Sequence, residues 1–85
     1  MTLEQIIERE KNNRNVNALY GVDACKETIL AEIKRHQEWN KQNKSNRFNT
    51  SLYVLLEKYV KLANEDIFFN KTMVLACWEL INSEV

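Results

Sequence analysis

The chain has 85 residues, of which 45% are apolar and 28% charged, and its formal net charge is zero. This length allows one domain, and the balanced charge excludes a general electrostatic attraction to nucleic acid or membranes, so any such attraction has to be local. Proline is absent and glycine occurs once, at Gly21, which disfavours turn-rich sheet folds. We therefore expect residues 1–85 to form a single all-α domain, a small antiparallel bundle of four helical segments.

The first helix is predicted to begin after Thr2, because Gln5 follows three residues later and the two can form a capping box. Its apolar face is formed by Leu3, Ile6 and Ile7. The asparagine-rich stretch 12–17 favours turns, which predicts a break. A short helical piece is expected to pack back through Val16, Leu19 and Tyr20.

The second helix is predicted to follow the turn at Gly21, with Asp23 as its N-cap. Its apolar stripe consists of Val22, Cys25, Ile29 and Ile33, with His36 one turn further along and Trp39 at its edge. Residues Asn40–Asn46 contain no apolar side chain, which predicts a loop.

The third helix is predicted from about Arg47 to Asn64, with Asn49 or Thr50 as its cap. Its stripe has the clearest three- and four-residue spacing of the chain, and is formed by Phe48, Leu52, Leu55, Leu56, Tyr59, Leu62 and Ala63. The polar residues 64–66 are expected to end this helix and to cap the next. One continuous helix over residues 50–81 is the alternative, because the apolar stripe continues in phase.

The fourth helix, predicted over Ile67–Ile81, is expected to be the innermost and most buried. A surface helix needs an apolar stripe of roughly 100°, whereas this segment is apolar over about twice that arc. This excess of apolar surface is covered either by the packed segment 16–20 or by another protein chain that binds there. The candidate interface residues are Tyr53, Val60, Phe68, Leu75 and Trp78.

Residues 34–47 are the most charge-polarised segment, with five cations against Glu38 alone, a local net charge of +4. The candidate anion or nucleic-acid contacts are Lys34, Arg35, Trp39, Lys41, Lys44 and Arg47. Cations with an interleaved aromatic residue can hold phosphates and stack a base. The alternative is a solvated helix end, where the helix dipole favours cations in any case.

Catalytic and metal motifs are sparse in the sequence. His36 is the one histidine, and it could act with Cys77 as a nucleophile pair only if the fold brought the two together. A half-buried histidine at the end of an apolar stripe is the simpler interpretation. Zinc-ligand spacings and glycine-rich phosphate loops are missing from the sequence, so we expect no metal, no cofactor and no enzymatic activity.

Two further interpretations concern the middle of the chain and the cysteines. Residues 18–22 resemble the turn of a helix-turn-helix, with 24–40 as the recognition helix, but the asparagine-rich stretch before the turn argues against this. Cys25 and Cys77 are far apart in sequence and are interpreted as small buried apolar residues of a reduced, cytoplasmic protein. No stretch has the features of a signal peptide, and the longest apolar run, 73–78, is far shorter than the ~20 residues of a membrane span.

The sequence thus predicts a small cytoplasmic binding protein without enzymatic activity. The first hypothesis is a regulator or inhibitor, of the accessory type found in phages, plasmids or bacteria, that binds a protein partner and self-associates. The alternative is a protein that binds nucleic acid, a nucleotide or another phosphate-bearing ligand through residues 34–47.

Overall fold

The computed structural model describes residues 1–13, 21–48 and 50–83. Within them the chain forms four helices, α1 (Leu3–Asn12), α2 (Val22–Asn43), α3 (Leu52–Glu65) and α4 (Thr72–Ser83). The expected small all-α bundle is confirmed. The short helical piece at Val16–Tyr20 and most of the helix-turn-helix stretch 18–22 lie outside the described residues.

Helix α1 begins as its sequence predicts. The hydroxyl of Thr2 accepts from the backbone N–H of Gln5 at 3.3 Å, and the side-chain carbonyl of Gln5 accepts from the N–H of Thr2 at 2.9 Å. This reciprocal pair is the expected capping box, and it satisfies donors that the helix itself leaves free. Ile6 and Ile7 enter the core from this helix.

Helix α2 is longer at both ends than predicted. Gly21 is its N-cap, and Asp23 lies inside the first turn, where the helix dipole favours its carboxylate. At the other end the helix continues through Asn43, so most of the expected Asn40–Asn46 loop is helical. It ends at Lys44, whose left-handed backbone (φ 48°, ψ 46°) lets its N–H bond to the carbonyls of Asn40 and Lys41. A polar composition alone does not separate a loop from a solvated last turn.

Helix α3 starts at Leu52 with Ser51 as its N-cap, five residues later than the predicted start at Arg47. The physical reason lies on α2. The side-chain amide of Asn40 donates to the carbonyl of Phe48 at 2.8 Å and accepts from its N–H at 3.3 Å. One of these bonds occupies the carbonyl of Phe48, which a helix starting at Arg47 would use as an acceptor within its first turn. Thr50 therefore precedes the cap, and Asn49 lies outside the described residues.

The break between α3 and α4 is confirmed, but the next helix begins later than predicted. Helix α3 ends at Glu65, and α4 begins at Thr72 rather than Ile67. The side chain of Asn70 accepts from the N–H of Thr72 at 3.0 Å, so Asn70, and not residues 64–66, supplies the capping group. Residues 66–71 form a turn between the helices, which places Ile67 outside any helix.

Helix α4 is the innermost helix, as expected, and packs against each of the other three. Four consecutive residues of it, Val74–Cys77, are 0% exposed. It runs antiparallel to α3, since Cys77 contacts Leu52 while Phe69, just before α4, stacks on Tyr59. Among the residues that the structure describes, no helix combines the length and apolar character that crossing a membrane requires.

Candidate functional site

The predicted interface residues separate into three groups. Tyr53 and Phe68 are exposed, at 67% and 91%, while Val60 and Trp78 are half-buried against the core. Leu75 is wrong as an interface residue, because it is 0% exposed. The reason is that α4 contacts neighbours on three sides, so nearly its whole circumference is used inside the fold.

The most exposed apolar side chains among the described residues lie in the turn between α3 and α4. Ile67 is 89% and Phe68 91% exposed, and we refer to these two residues as the apolar tip. Two bonds from Asp66 hold it: its carboxylate accepts from the N–H of Phe68 at 2.9 Å, and its carbonyl accepts from the N–H of Phe69 at 3.2 Å. The backbone of the tip is therefore ordered although its side chains face solvent.

The residues that follow the apolar tip anchor it to the rest of the bundle. The ring of Phe69 stacks on Tyr59 of α3, with centroids 5.7 Å apart. The amide of Asn70 donates to the thiol of Cys25 on α2 at 3.6 Å, and Thr72 Oγ1 lies 3.2 Å from a carboxylate oxygen of Glu10 on α1. The turn is thus held by three helices.

A second feature lies at the far end of α2, where three rings meet. Phe48 stacks on His36, with centroids 4.5 Å apart and planes inclined by 11°, and meets Trp39 edge to face at 5.0 Å. The guanidinium of Arg47 lies 5.8 Å from the centroid of Trp39 and 5.6 Å from that of Phe48. We call His36, Trp39 and Phe48 the aromatic cluster. Its geometry is fixed by the Asn40 side chain, which holds the backbone of Phe48.

Two of the basic residues of segment 34–47 lie at the aromatic cluster: Arg35 lines the pocket beside Trp39, and Arg47 lies near the rings of Trp39 and Phe48. All five predicted cations are exposed: Lys34, Arg35, Lys41, Lys44 and Arg47. A shallow pocket of about 320 Å³ opens beside Trp39. It is lined by Arg35, His36, Glu38, Trp39, Gln42 and Phe48. The cations and Trp39 were predicted from the sequence, but Phe48 was assigned to the apolar stripe of the third helix. No local sequence pattern indicates its contact with the side chain of Asn40, eight residues earlier.

A third feature is a groove between α1 and Trp78. The ammonium of Lys11 lies 4.8 Å from the centroid of the indole of Trp78. The groove has a volume of about 290 Å³ and is lined by Leu3, Glu4, Ile7, Glu8, Lys11 and Trp78. The predicted interface residue Trp78 is therefore partly covered by a cation from its own chain.

The hypothesis of a Cys77–His36 nucleophile pair is contradicted. The thiol of Cys77 is fully buried and donates to the carbonyl of Leu52 at 3.3 Å, whereas the ring of His36 stacks on Phe48. Burial raises the pKa of Cys77 to about 11, opposite to the lowered pKa that a reactive thiolate needs. Desolvation also raises the pKa of Cys25, despite a hydrogen bond from Asn70. Both cysteines are buried thiols of the core, as expected.

Residues 1–13, 21–48 and 50–83 contain no grouping of three or more His, Cys, Asp or Glu side chains that could hold a metal ion. Comparison of the chain with protein-family models, with curated proteins and with solved structures found no match.

Proposed function

We propose that this protein is a small non-enzymatic binding protein, a regulator or inhibitor, that captures a partner protein by placing the apolar tip in an apolar pocket. The observation that carries the proposal is the exposure of Ile67 and Phe68, 89% and 91%, on an ordered turn. Isolated exposed apolar residues are common on protein surfaces, but two large adjacent ones held by hydrogen bonds form a suitable anchor.

The energetics of the turn favour binding. Full burial of an isoleucine and a phenylalanine contributes roughly 1.5–3 kcal/mol each, relative to leaving them in water. The hydrogen bonds from Asp66 and the stacking of Phe69 on Tyr59 fix the backbone before any partner arrives. The entropy lost on binding is therefore smaller than for a mobile loop.

The charges next to the apolar tip indicate what kind of pocket suits it. The side chains of Glu65 and Asp66 are exposed immediately before Ile67. A partner pocket with an apolar floor and a basic rim would be complementary in both shape and charge. Occupation of such a pocket by this protein would block it, which is how a regulator or inhibitor acts.

The proposal is tested by placing a photo-crosslinking phenylalanine analogue at position 68 and, as a matched control, at the exposed position 53 on α3. Both proteins are irradiated in extracts of the cells that naturally produce the chain. We expect a discrete adduct from position 68, its loss when Ile67→Asp is added, and no adduct of that mass from position 53. The substitutions lie on exposed side chains, so the fold should be retained.

The mass of the adduct and the mass of the free protein in solution identify the occupant. A monomer by light scattering that forms a larger adduct indicates a different protein. A dimer that Ile67→Asp converts to a monomer indicates that a second copy occupies the tip, which is the expected self-association. A lack of any adduct at position 68, or an adduct that survives Ile67→Asp, would contradict the proposal.

A further inference from the structure

We infer that the aromatic cluster at the end of α2 is a binding site for a single-stranded nucleic acid, in which one base stacks on Trp39 and neighbouring phosphates contact exposed cations such as Lys44 and Arg47. This site is separate from the apolar tip and would bind a ligand of a different class. The inference rests on three properties of the cluster: an ordered aromatic platform, a local excess of positive charge, and a pocket with polar groups at its edge.

The aromatic platform is ordered before a ligand arrives. Trp39 is held edge to face against Phe48, and Phe48 is held by the parallel ring of His36 at 4.5 Å. Two hydrogen bonds from Asn40 fix the backbone of Phe48. Stacking on an indole that already packs against Phe48 costs less side-chain entropy than stacking on an unsupported one, and base stacking contributes about 1–3 kcal/mol per base.

The platform belongs to a segment of the chain with an excess of positive charge. Residues 34–47 carry a net charge of +4 in a chain whose formal net charge is zero. Two cations lie at the cluster: the guanidinium of Arg47 is 5.8 Å from the centroid of Trp39, and Arg35 lines the pocket. Arg35 also lies 3.8 Å from the carboxylate of Glu32. A strand whose base reaches Trp39 would therefore have Arg47 nearby for a phosphate contact, with Lys44 exposed three residues earlier.

The location of the cluster disfavours a phosphate ion as the whole ligand. It lies at the C-terminal end of α2, where the helix carbonyls carry partial negative charge. Cations there offset this negative charge, but the site lacks the free N–H groups and the favourable dipole that a helix N-terminus offers to an anion. Binding therefore needs the stacking contribution, which a free phosphate lacks. A duplex lacks it too, because its base faces are covered by neighbouring bases.

The polar edge of the pocket indicates which bases fit. Glu38 and Gln42 line the pocket beside Trp39. A carboxylate accepts from an exocyclic amino group, which cytosine and adenine carry and thymine does not. The volume of about 320 Å³ is at the lower limit of ligand pockets, which suits one base rather than a larger ligand.

The test measures the fluorescence anisotropy of a labelled 12-nucleotide cytosine strand at several salt concentrations. We expect saturable binding whose affinity falls as salt rises, with weaker binding of a thymine strand and much weaker binding of a duplex. Lys44→Ala with Arg47→Ala should lower the affinity at least tenfold and flatten the salt dependence, since each phosphate contact contributes a slope of about 0.7. Lys58→Ala with Lys61→Ala on α3 removes the same charge from another surface and should leave the salt dependence unchanged.

A second variant separates stacking from charge. Trp39→Leu should reduce the affinity by roughly 5- to 100-fold without changing the salt dependence, because it removes a base contact and no cation. Because Trp39 packs on Phe48, circular dichroism has to show that Trp39→Leu folds. If this variant does not fold, the variant with Lys44→Ala and Arg47→Ala still tests the inference, because both cations are exposed. The inference is overturned by an absence of binding at low salt, by equal affinity for the duplex, by equal losses from the α3 control pair, or by tighter binding of a poly-glutamate peptide than of the cytosine strand.

Discussion

The thiol of Cys77, in the middle of α4, donates a hydrogen bond to the carbonyl of Leu52, the first residue of α3, at 3.3 Å. The bond joins the innermost helix to the start of its antiparallel neighbour inside the core, where Cys77 is 0% exposed. A thiol can fill this role only while it keeps its proton, since the thiolate has no hydrogen to donate and is poorly solvated there.

We therefore expect stability to fall at alkaline pH. Burial raises the pKa of Cys77 from the ordinary 9.0 to about 11 in the folded protein, so between these values the unfolded chain binds fewer protons than the folded one. The stabilisation is complete below pH 9 and is lost as the pH rises toward 11, by on the order of 2 kcal/mol. Urea unfolding under reducing conditions at pH 8 and 10.5 checks this. Cys77→Ala should show a smaller decrease, and an equal decrease would assign the effect to other groups.

Leu75 and Ile67 form a matched pair for testing which apolar residues belong to the core. Leu75→Ala should destabilise the protein by roughly 2–5 kcal/mol, because it leaves a cavity among fully buried neighbours. Ile67→Ala should change stability by less than about 0.5 kcal/mol, because Ile67 is 89% exposed. Thermal unfolding of both variants measures the difference. A large loss with Ile67→Ala would mean that the tip packs against the bundle in solution.

Asn40 is expected to stabilise the aromatic cluster through its two bonds to the backbone of Phe48. Asn40→Ala should cost about 1–3 kcal/mol, because both part-buried backbone groups lose their partner. Asn43→Ala is the control, since the side chain of Asn43 makes one exposed bond to the carbonyl of Trp39. Urea unfolding compares the two, and near-ultraviolet circular dichroism should change more with Asn40→Ala. Equal costs would argue against a special role for Asn40.

Lys44 holds the left-handed cap of α2 (φ 48°, ψ 46°), a conformation that glycine adopts without the steric cost of a Cβ atom. Lys44→Gly should therefore stabilise the protein by about 1 kcal/mol. Lys44→Ala removes the same charge but keeps the Cβ, so it should give no such gain. Chemical denaturation measures the free energy of unfolding of both variants. An equal increase in both would mean that the loss of charge, and not the backbone conformation, causes the effect.

Features that depend only on residues close together in the sequence could be predicted from it. The capping box of Thr2 and Gln5 and the break after Glu65 are local, and both were predicted. The burial of Leu75 was not predictable, because α4 is apolar around most of its circumference and periodicity then selects no face. The exposure of Ile67 could have been found from Asn70, a good capping residue two positions before Thr72, which moves the start of α4 past the tip.

The aromatic cluster illustrates what local patterns cannot reveal. The cations and Trp39 were predicted as a site from composition, but Phe48 joins them through its ring contacts with His36 and Trp39 and through the side chain of Asn40. The contact between Asn40 and Phe48 requires Asn40 to lie in the last turn of α2. This polar turn was predicted to be a loop. His36 and Phe48, two of the three rings, were left out of the predicted site because their spacing assigned them to the apolar stripes of the second and third helices.

The central position of α4 also bears on how the protein is made. Helices α1, α2 and α3 each pack mainly against α4 and only sparsely against one another, and α4 is the last of the four to be synthesised. Until residues 72–83 have left the ribosome, Ile6, Ile29 and Leu52 have little to pack against. We therefore expect the nascent chain to remain open to proteases and chaperones throughout synthesis of residues 1–71, and to fold in one step once α4 emerges.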